Sequence, residues 1–272
     1  MSAYKHILYE KEGAISRVKL NRPRYLNAQS HLMLEEMDSA FQAAIKDDEI
    51  RVIVLSGEGD HFSSGHDLGT PEEQEDHLRR GYPEGIPGIF LRMEKIYLEY
   101  GLRWRDLPKP TIAMVHGYCI YGGWQIASSM DIIIAAEDTK FLPGFIEYFS
   151  VPWDVGARKA KELLFQHRFI SAQRAQELGF VNCVVPLERL EDETMALAGS
   201  IAETHPFLTR MTKLTINQSQ DAMGFRIAVQ AALSNFIIMS QSGALRSPED
   251  LKSGKRSLST VDKALSEFKK GK

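Results

Sequence analysis

The chain lacks the sequence features on which a disulfide framework, a structural metal site or a membrane anchor would be built. Its 272 residues include two cysteines, Cys119 and Cys183, too few to frame a secreted disulfide scaffold, so buried, reduced thiols are expected. The eight histidines form no His-x-x-x-His and there is no Cys-x-x-Cys, so no metal is predicted. Residues 1–10 carry no apolar signal core, and no apolar run approaches a membrane span. The end, Gly271-Lys272, is not a peroxisomal address. A large excess of either charge is also lacking. A net charge of -3 gives no basic excess for nucleic acid or for an anionic membrane. What remains is an ordinary globular composition, with 25% charged and 43% hydrophobic residues. We expect a cytoplasmic protein with neither nucleic-acid nor membrane partners, built as one large domain or one domain with a small appendage.

What is present centres on residues 109–131. Pro110 can precede a strand but not sit inside a central one, and residues 111–115 are a short apolar β-type run. Residues 116–123 are a glycine-punctuated turn. From Gly123 the pattern is helical, with Ile126, Ala127 and Met130 on one face. Strand, glycine turn and helix in that order aim unpaired backbone N–H groups into one small volume, a plausible oxyanion site. A second arrangement of this kind lies upstream, where the strand-like Val52-Ile-Val-Leu55 runs into the glycine-rich residues 56–68. Each turn could supply one N–H to a single developing oxyanion.

Phe62-Ser-Ser-Gly-His-Asp-Leu68, together with Lys109-Pro-Thr-Ile-Ala, Gly117-Tyr118, Gly122-Gly123 and Asp131, resembles the crotonase (enoyl-CoA hydratase/isomerase) superfamily. Asn21-Arg-Pro with Leu26-Asn-Ala28, and the stretch from Ile170 to Pro186, extend the resemblance in the same order over residues 5–215. It implies an α/β, crotonase-like fold of stacked ββα/βαβ units with a C-terminal helical trimerisation region. The corresponding division is a core at 1–200 that binds CoA and acyl group, and a helical region at 201–272. It also implies an acyl-CoA substrate, no cofactor beyond the coenzyme A of that substrate, and a homotrimer or dimer of trimers.

The remaining pattern fits this expectation. Residues 7–20 read as two strands around Glu12-Gly13, and Asn27 or Ser30 can cap a helix striped with Met33 or Leu34, Met37, Ala40 or Phe41, and Ala44 or Ile45. Strands near 50–55, 111–115 and 131–135 separated by helical patterns predict parallel βαβ units. Residues 69–105 are the least regular: 70–80 are charged, 81–88 are predicted not to be helical, and 90–104 read as an amphipathic helix. Residues 171–179 read as a capped helix, 180–185 as extended, and Pro206 as a helix start. The apolar face along 222–240 looks too long for one subunit to cover.

The resemblance fails where the family's hydratases carry two glutamates. The first position is Gln125, which hydrogen-bonds but does not take up a proton near neutral pH. The second falls within 141–145, which contain no carboxylate. The candidate catalytic residues are therefore His66 and Gly122, through their amides, and Asp154 and Glu147 as carboxylates. An aspartate placed like Asp154, just before a helix, is more often an N-cap than a catalyst, and the His66 imidazole is a further group within reach of an acyl chain. Substrate binding is expected of Arg22, Arg24, Leu26, Ala28, Ser64, Asp67, Leu68, Tyr121, Trp124, Gln125 and Trp153. The basic stretch 252–272 reads as a solvated face or a contact for the CoA nucleotide. The resulting expectation is an acyl-CoA enzyme that uses an oxyanion hole without two-glutamate hydration. Alternatives are C–C or thioester hydrolysis of a β-keto or cyclic acyl-CoA, and a CoA-ligand binder that does no chemistry.

Overall fold

The computed structural model describes residues 4–144 and 146–242; the basic stretch 252–272 lies outside them. β1 (Ile7–Glu12) and β2 (Ile15–Leu20) form the expected antiparallel hairpin. Of the two capping candidates before α1 (His31–Lys46), Ser30 does the capping, its hydroxyl accepting from the Met33 amide. Asn27 instead pins the preceding turn. Its side chain accepts from the Arg22 amide and donates to the Glu58 and His61 carbonyls. Met33, Leu34, Met37, Phe41 and Ala44 are the buried stripe of α1.

β3 (Val52–Gly57) pairs parallel with β2. The charged segment after it is α2 (Pro71–Arg80), capped by the Thr70 hydroxyl. Residues 81–88, expected to be non-helical, are so only in part, because α3 (Gly85–Met93) starts inside them. Pro87 lies in the first turn, where its missing N–H would have no intrahelical acceptor. Gly88 packs on the Pro83 carbonyl, leaving no room for a side chain. The predicted helix over 90–104 is present but broken in register by a π-helical turn (Glu94–Glu99) before α4 (Tyr100–Arg105).

β4 (Thr111–Val115), β5 (Tyr118–Tyr121) and α5 (Gly122–Ser128) form the central unit, followed by β6 (Ile132–Ala136) and β7 (Lys140–Pro143). Then come α6 (Val151–Val155), α7 (Ala157–Gln166), β8 (Ile170–Ser171), α8 (Ala172–Glu177), β9 (Cys183–Val185) and α9 (Leu190–Glu203). The main sheet runs β1-β2-β3-β4-β6-β9, all parallel after the hairpin; β5, β7 and β8 form a second, smaller sheet. One face of the main sheet packs on α1, α4 and α5, and α9 covers the other through Leu190 and Ala198.

The last described helices are α10 (Pro206–Ala222) and α11 (Phe225–Gln241). The apolar face of α11 is covered within the subunit, contrary to the expectation from its length. Phe225, Val229, Leu233 and Ile237 bury against Leu98, Leu102 and Tyr148. α10 is inverted. Its inward stripe is polar: Lys213 donates to Asp131, and Asn217 and Gln220 bond Arg105. Phe207, Leu208, Met211 and Leu214 face outward, the first two 64% and 58% exposed. Among the described residues no single helix is long and apolar enough to cross a membrane.

Candidate active site

The site begins with a backbone contact between two glycine turns. Residues 62–63 run beside 116–120: Phe62 N–H donates to the His116 carbonyl, Ser63 N–H to Tyr118, and Ile120 N–H to Ser63. The next residue but one, Gly65, has φ of 94° and lies against the second turn. A Cβ there would lie 2.8 Å from the Ile120 carbonyl oxygen and 3.2 Å from the Gly122 nitrogen. Only glycine allows both the backbone angle and the approach. The peptide leading into the His66 amide is thereby held against the Gly122 amide, and neither N–H donates to a backbone carbonyl among the described residues.

Gly122 is glycine for a different reason, since a Cβ on it would lie 2.5 Å from Gln29 Oε1 and 2.8 Å from His66 Nδ1. The residue before it, Tyr121, holds φ 47° and ψ −103°. Such a conformation typically costs a non-glycine residue about 1–3 kcal/mol and persists where its surroundings enforce it.

The loop carrying His66 is locked from behind. Arg22 Nη1 donates to Asp67 Oδ2 at 2.8 Å and to the Ala28 carbonyl, and Nη2 donates to the Thr70 hydroxyl. Asp67 also accepts from the amides of Gly69 and Thr70 and from the Thr70 hydroxyl. Burial opposes ionisation of Asp67, but the Thr70 hydroxyl and amide, the Gly69 amide and Arg22 together hold its carboxyl below the ordinary range. Gln29 closes the other side, its N–H donating to the Gly65 carbonyl and its carbonyl accepting from Asp67 N–H.

Residues expected to bind substrate therefore separate into groups. Arg22 and Asp67 are buried and engaged with each other, which makes them supports of the loop. Ala28 takes part in that support through its carbonyl, and the Ser64 amide donates to Leu26. Leu26 and Leu68 are 44% and 60% exposed on the outer rim, with Arg24 also exposed. Gln125 lines a small cavity together with Gln29, Leu34, Tyr97 and Tyr148. Trp124 does not: it is fully buried, stacked on Phe180 at 3.6 Å, on the side of α5 occupied by the core. Tyr121 packs with the satellite cluster of Ile120, Leu142 and Phe169, and Trp153 meets Phe225 edge-on.

Of the two carboxylates, Glu147 is the one brought to the glycine turns. It is 1% exposed, and its Oε1 lies 3.2 Å from His66 Nε2. Tyr97 packs against the His66 ring, with centroids 4.2 Å apart and planes tilted by 34°. Sequence reasoning passed over Gln29 and Tyr97. Gln29 directly follows a quoted motif and was within reach of notice. Tyr97 owes its position to the π-helical turn, which no periodic pattern announces.

Comparison with known proteins places these features in a family context. The profile described as enoyl-CoA hydratase/isomerase matches residues 10–243. EchA13 of Mycobacterium tuberculosis, provisionally named an enoyl-CoA hydratase, is 37% identical over 247 residues, covering 83% of this chain and 78% of its own. A crystal structure of a Mycobacterium thermoresistibile protein, also provisionally named an enoyl-CoA hydratase, superposes with TM-score 0.78 at 41% identity, covering 88% of this chain and 98% of its own. An enoyl-CoA hydratase/isomerase from Xanthobacter autotrophicus Py2 gives 0.81 at 32% identity, covering 92% and 91%.

Asp154 is elsewhere. It is not an N-cap: it lies inside α6, whose cap position is Ser150, while α7 is preceded by Gly156. Its Oδ2 accepts from Trp124 Nε1 at 3.1 Å and from the Ser150 hydroxyl at 2.9 Å. Burial pushes the carboxyl up to about 6, against the partial relief given by those two donors. The folded state thus binds this proton more tightly than the unfolded chain, whose value is near 3.8. Its contribution is fully present below about pH 4 and is lost as pH rises through about 6, by up to about 3 kcal/mol. Asp154→Asn keeps an acceptor for both donors and carries no charge. Thermal melts should therefore show a smaller loss of stability between pH 5 and pH 8 than in the wild type, and a higher Tm at pH 8. An unchanged pH slope would mean that the Asp154 carboxyl is not the group responsible.

Proposed function

The chain belongs to the enoyl-CoA hydratase/isomerase (crotonase) family, and on that premise we propose that it acts on an acyl-CoA thioester through the amides of His66 and Gly122. The observation that carries the reading is the approach of Gly65 to within a Cβ's contact of the Gly122 nitrogen, which sets the two free N–H groups together. Donors already aimed at a developing oxyanion need no reorganisation during reaction, and losing one commonly costs about 3 kcal/mol of transition-state stabilisation. The CoA moiety lies along the 22–28 turn and the 64–68 backbone. The exposed Arg24 is available to its phosphates, and Leu26 and Leu68 offer an apolar platform to the purine.

Two-glutamate hydration is not the reaction. Gln125 occupies the first glutamate position, and no carboxylate is found within 141–145. Isomerisation, or C–C or thioester hydrolysis of a β-keto or cyclic acyl-CoA, uses the same oxyanion hole without that pair. One observation favours these over a binder that does no chemistry. Gln125 Nε2, Glu147 Oε2 and His66 Nδ1 are buried and without hydrogen-bond partners among the described residues. Unmet buried polar groups are costly, and a substrate that offers a carbonyl oxygen to Gln125 Nε2 and a hydroxyl hydrogen to the two acceptors would satisfy them.

The outward apolar stripe of α10 supports assembly into a trimer or a pair of trimers, since helices of single subunits normally bury such a face. Light scattering at micromolar concentration should return at least a trimer; a 30.7 kDa particle rules this out.

Turnover is tested with a panel of straight-chain, branched and alicyclic acyl-CoAs, with products identified by mass spectrometry. Crotonyl-CoA hydration should be slow, because a missing general base typically forfeits about 10²–10⁴-fold. Gly122→Pro removes one oxyanion donor and should lower turnover of the active substrate by about 10²-fold or more. Gly179→Ala, beyond α8 where φ is 86°, should cost stability and leave the chemistry alone. A folded Gly122→Pro protein that turns over at the wild-type rate would place the active site elsewhere.

A further inference from the structure

His66 Nε2 and Glu147 Oε1 form a buried pair, with side chains 13% and 2% exposed. A carboxylate only accepts, so in the neutral ring the tautomer that makes this hydrogen bond carries its proton on Nε2 and leaves Nδ1 as a bare acceptor. Nδ1 is buried, without a hydrogen-bond partner, and lies 2.8 Å from where a Gly122 Cβ would be. It therefore lies close against the Gly122 backbone, beside an oxyanion donor. Tyr97 packs against the ring at a tilt of 34°. Gln29 is oriented by Ser63: its Nε2 donates to the Ser63 hydroxyl, which leaves Oε1 toward Gly122 and gives Nδ1 no competing donor. An acceptor nitrogen placed at the α-carbon of a thioester whose oxygen sits between two amides is a base for the α-proton.

We propose that His66, through Nδ1, moves the proton at the α-carbon of the acyl-CoA, and that Glu147 is the positioning residue that holds its tautomer. This rests on the oxyanion reading above. In the step, the α C–H bond breaks and its proton goes to Nδ1. Its electron pair forms the α-carbon–carbonyl double bond, and the thioester π pair moves to the oxygen held by the His66 and Gly122 amides. The imidazolium so formed is paired with the Glu147 carboxylate. Run in reverse, the same step protonates an enolate at the α-carbon. Isomerisation and C–C hydrolysis share this step, whatever bond is made or broken further along the chain. One residue thus contributes its amide to the oxygen and its ring to the carbon next to it.

The test uses butyryl-CoA, a saturated thioester, in D₂O, with deuterium incorporation at the α-carbon followed by mass spectrometry. The wild-type protein should catalyse exchange. His66→Gln should slow it by about 10²-fold or more. Glu147→Gln should slow it by about tenfold or more while leaving the butyryl-CoA dissociation constant unchanged, because the amide also permits the wrong tautomer. Nitrogen-15 NMR of the His66 ring should show the proton on Nε2 in the wild type and redistributed in Glu147→Gln, a change that a merely structural role would not produce. Three results overturn the proposal: no exchange by the wild type, wild-type exchange in both folded variants, or loss of exchange in Asp154→Asn with the pair variants unaffected. Wild-type exchange in His66→Gln and Glu147→Gln together with loss in Gly122→Pro would leave the oxyanion reading intact and remove only the dyad. Wild-type exchange in all three would remove both.

Discussion

Backbone meets backbone where residues 63–66 lie against residues 118–123, and the rest of the candidate site depends on that contact. It needs glycine at 65 because any side chain would strike the Ile120 carbonyl, and at 123 because a Cβ would lie 2.8 Å from the Ser63 carbonyl. Parallel β4 and β6 set the second turn at the end of the main sheet, and β5 leads it into α5. The first turn is held down by the buried Arg22–Asp67 pair and by Gln29 on its other edge. Removing one member of such a pair leaves a buried charge alone, typically at about 3–5 kcal/mol. On the proposed reading, residues far from any substrate therefore control whether two amides point at the same oxygen.

Much of this was legible in the sequence, for physical reasons. Glycine-rich turns after β-type runs are readable because few residues tolerate close backbone approach, so Gly65, Gly122 and Gly123 marked the site. The strand and helix periods also held through α1 and β4, where one face is buried. Other features depended on three-dimensional context. The roles of Arg22 and Asp67 reverse from binding to support because each finds the other across 45 residues. The helix over 85–105 begins earlier than its Pro and Gly content suggested, since first-turn positions have no amide acceptors to lose. The π-helical turn that swings Tyr97 onto His66 shifts register without any change in composition.

The two carboxylates show the limit most clearly. From the sequence, Asp154 and Glu147 were comparable: both lie within reach of the glycine pair along the chain. Folding separates them onto two sides of α5. Trp124, whose ring packs into the core on Phe180, holds Asp154. Gln125, on the adjoining face, lines the cavity with Gln29, Tyr97 and Tyr148, and Glu147 sits on the His66 ring. A helix turns by about 100° per residue, so neighbours in sequence serve different surfaces. The raised pKa of Asp154 follows from its burial, and its donors are core groups.

Vibrational spectroscopy of a bound thioester tests the central claim directly. With a carbon-13 label in the thioester carbonyl of butyryl-CoA, the C=O stretch should move to lower wavenumber on binding, as two amides withdraw charge onto the oxygen. In Gly122→Pro that shift should largely disappear while the ligand still binds. A carbonyl frequency identical in solution, in the wild-type complex and in the variant complex would contradict the account, because the two N–H groups would then not be directed at the thioester oxygen.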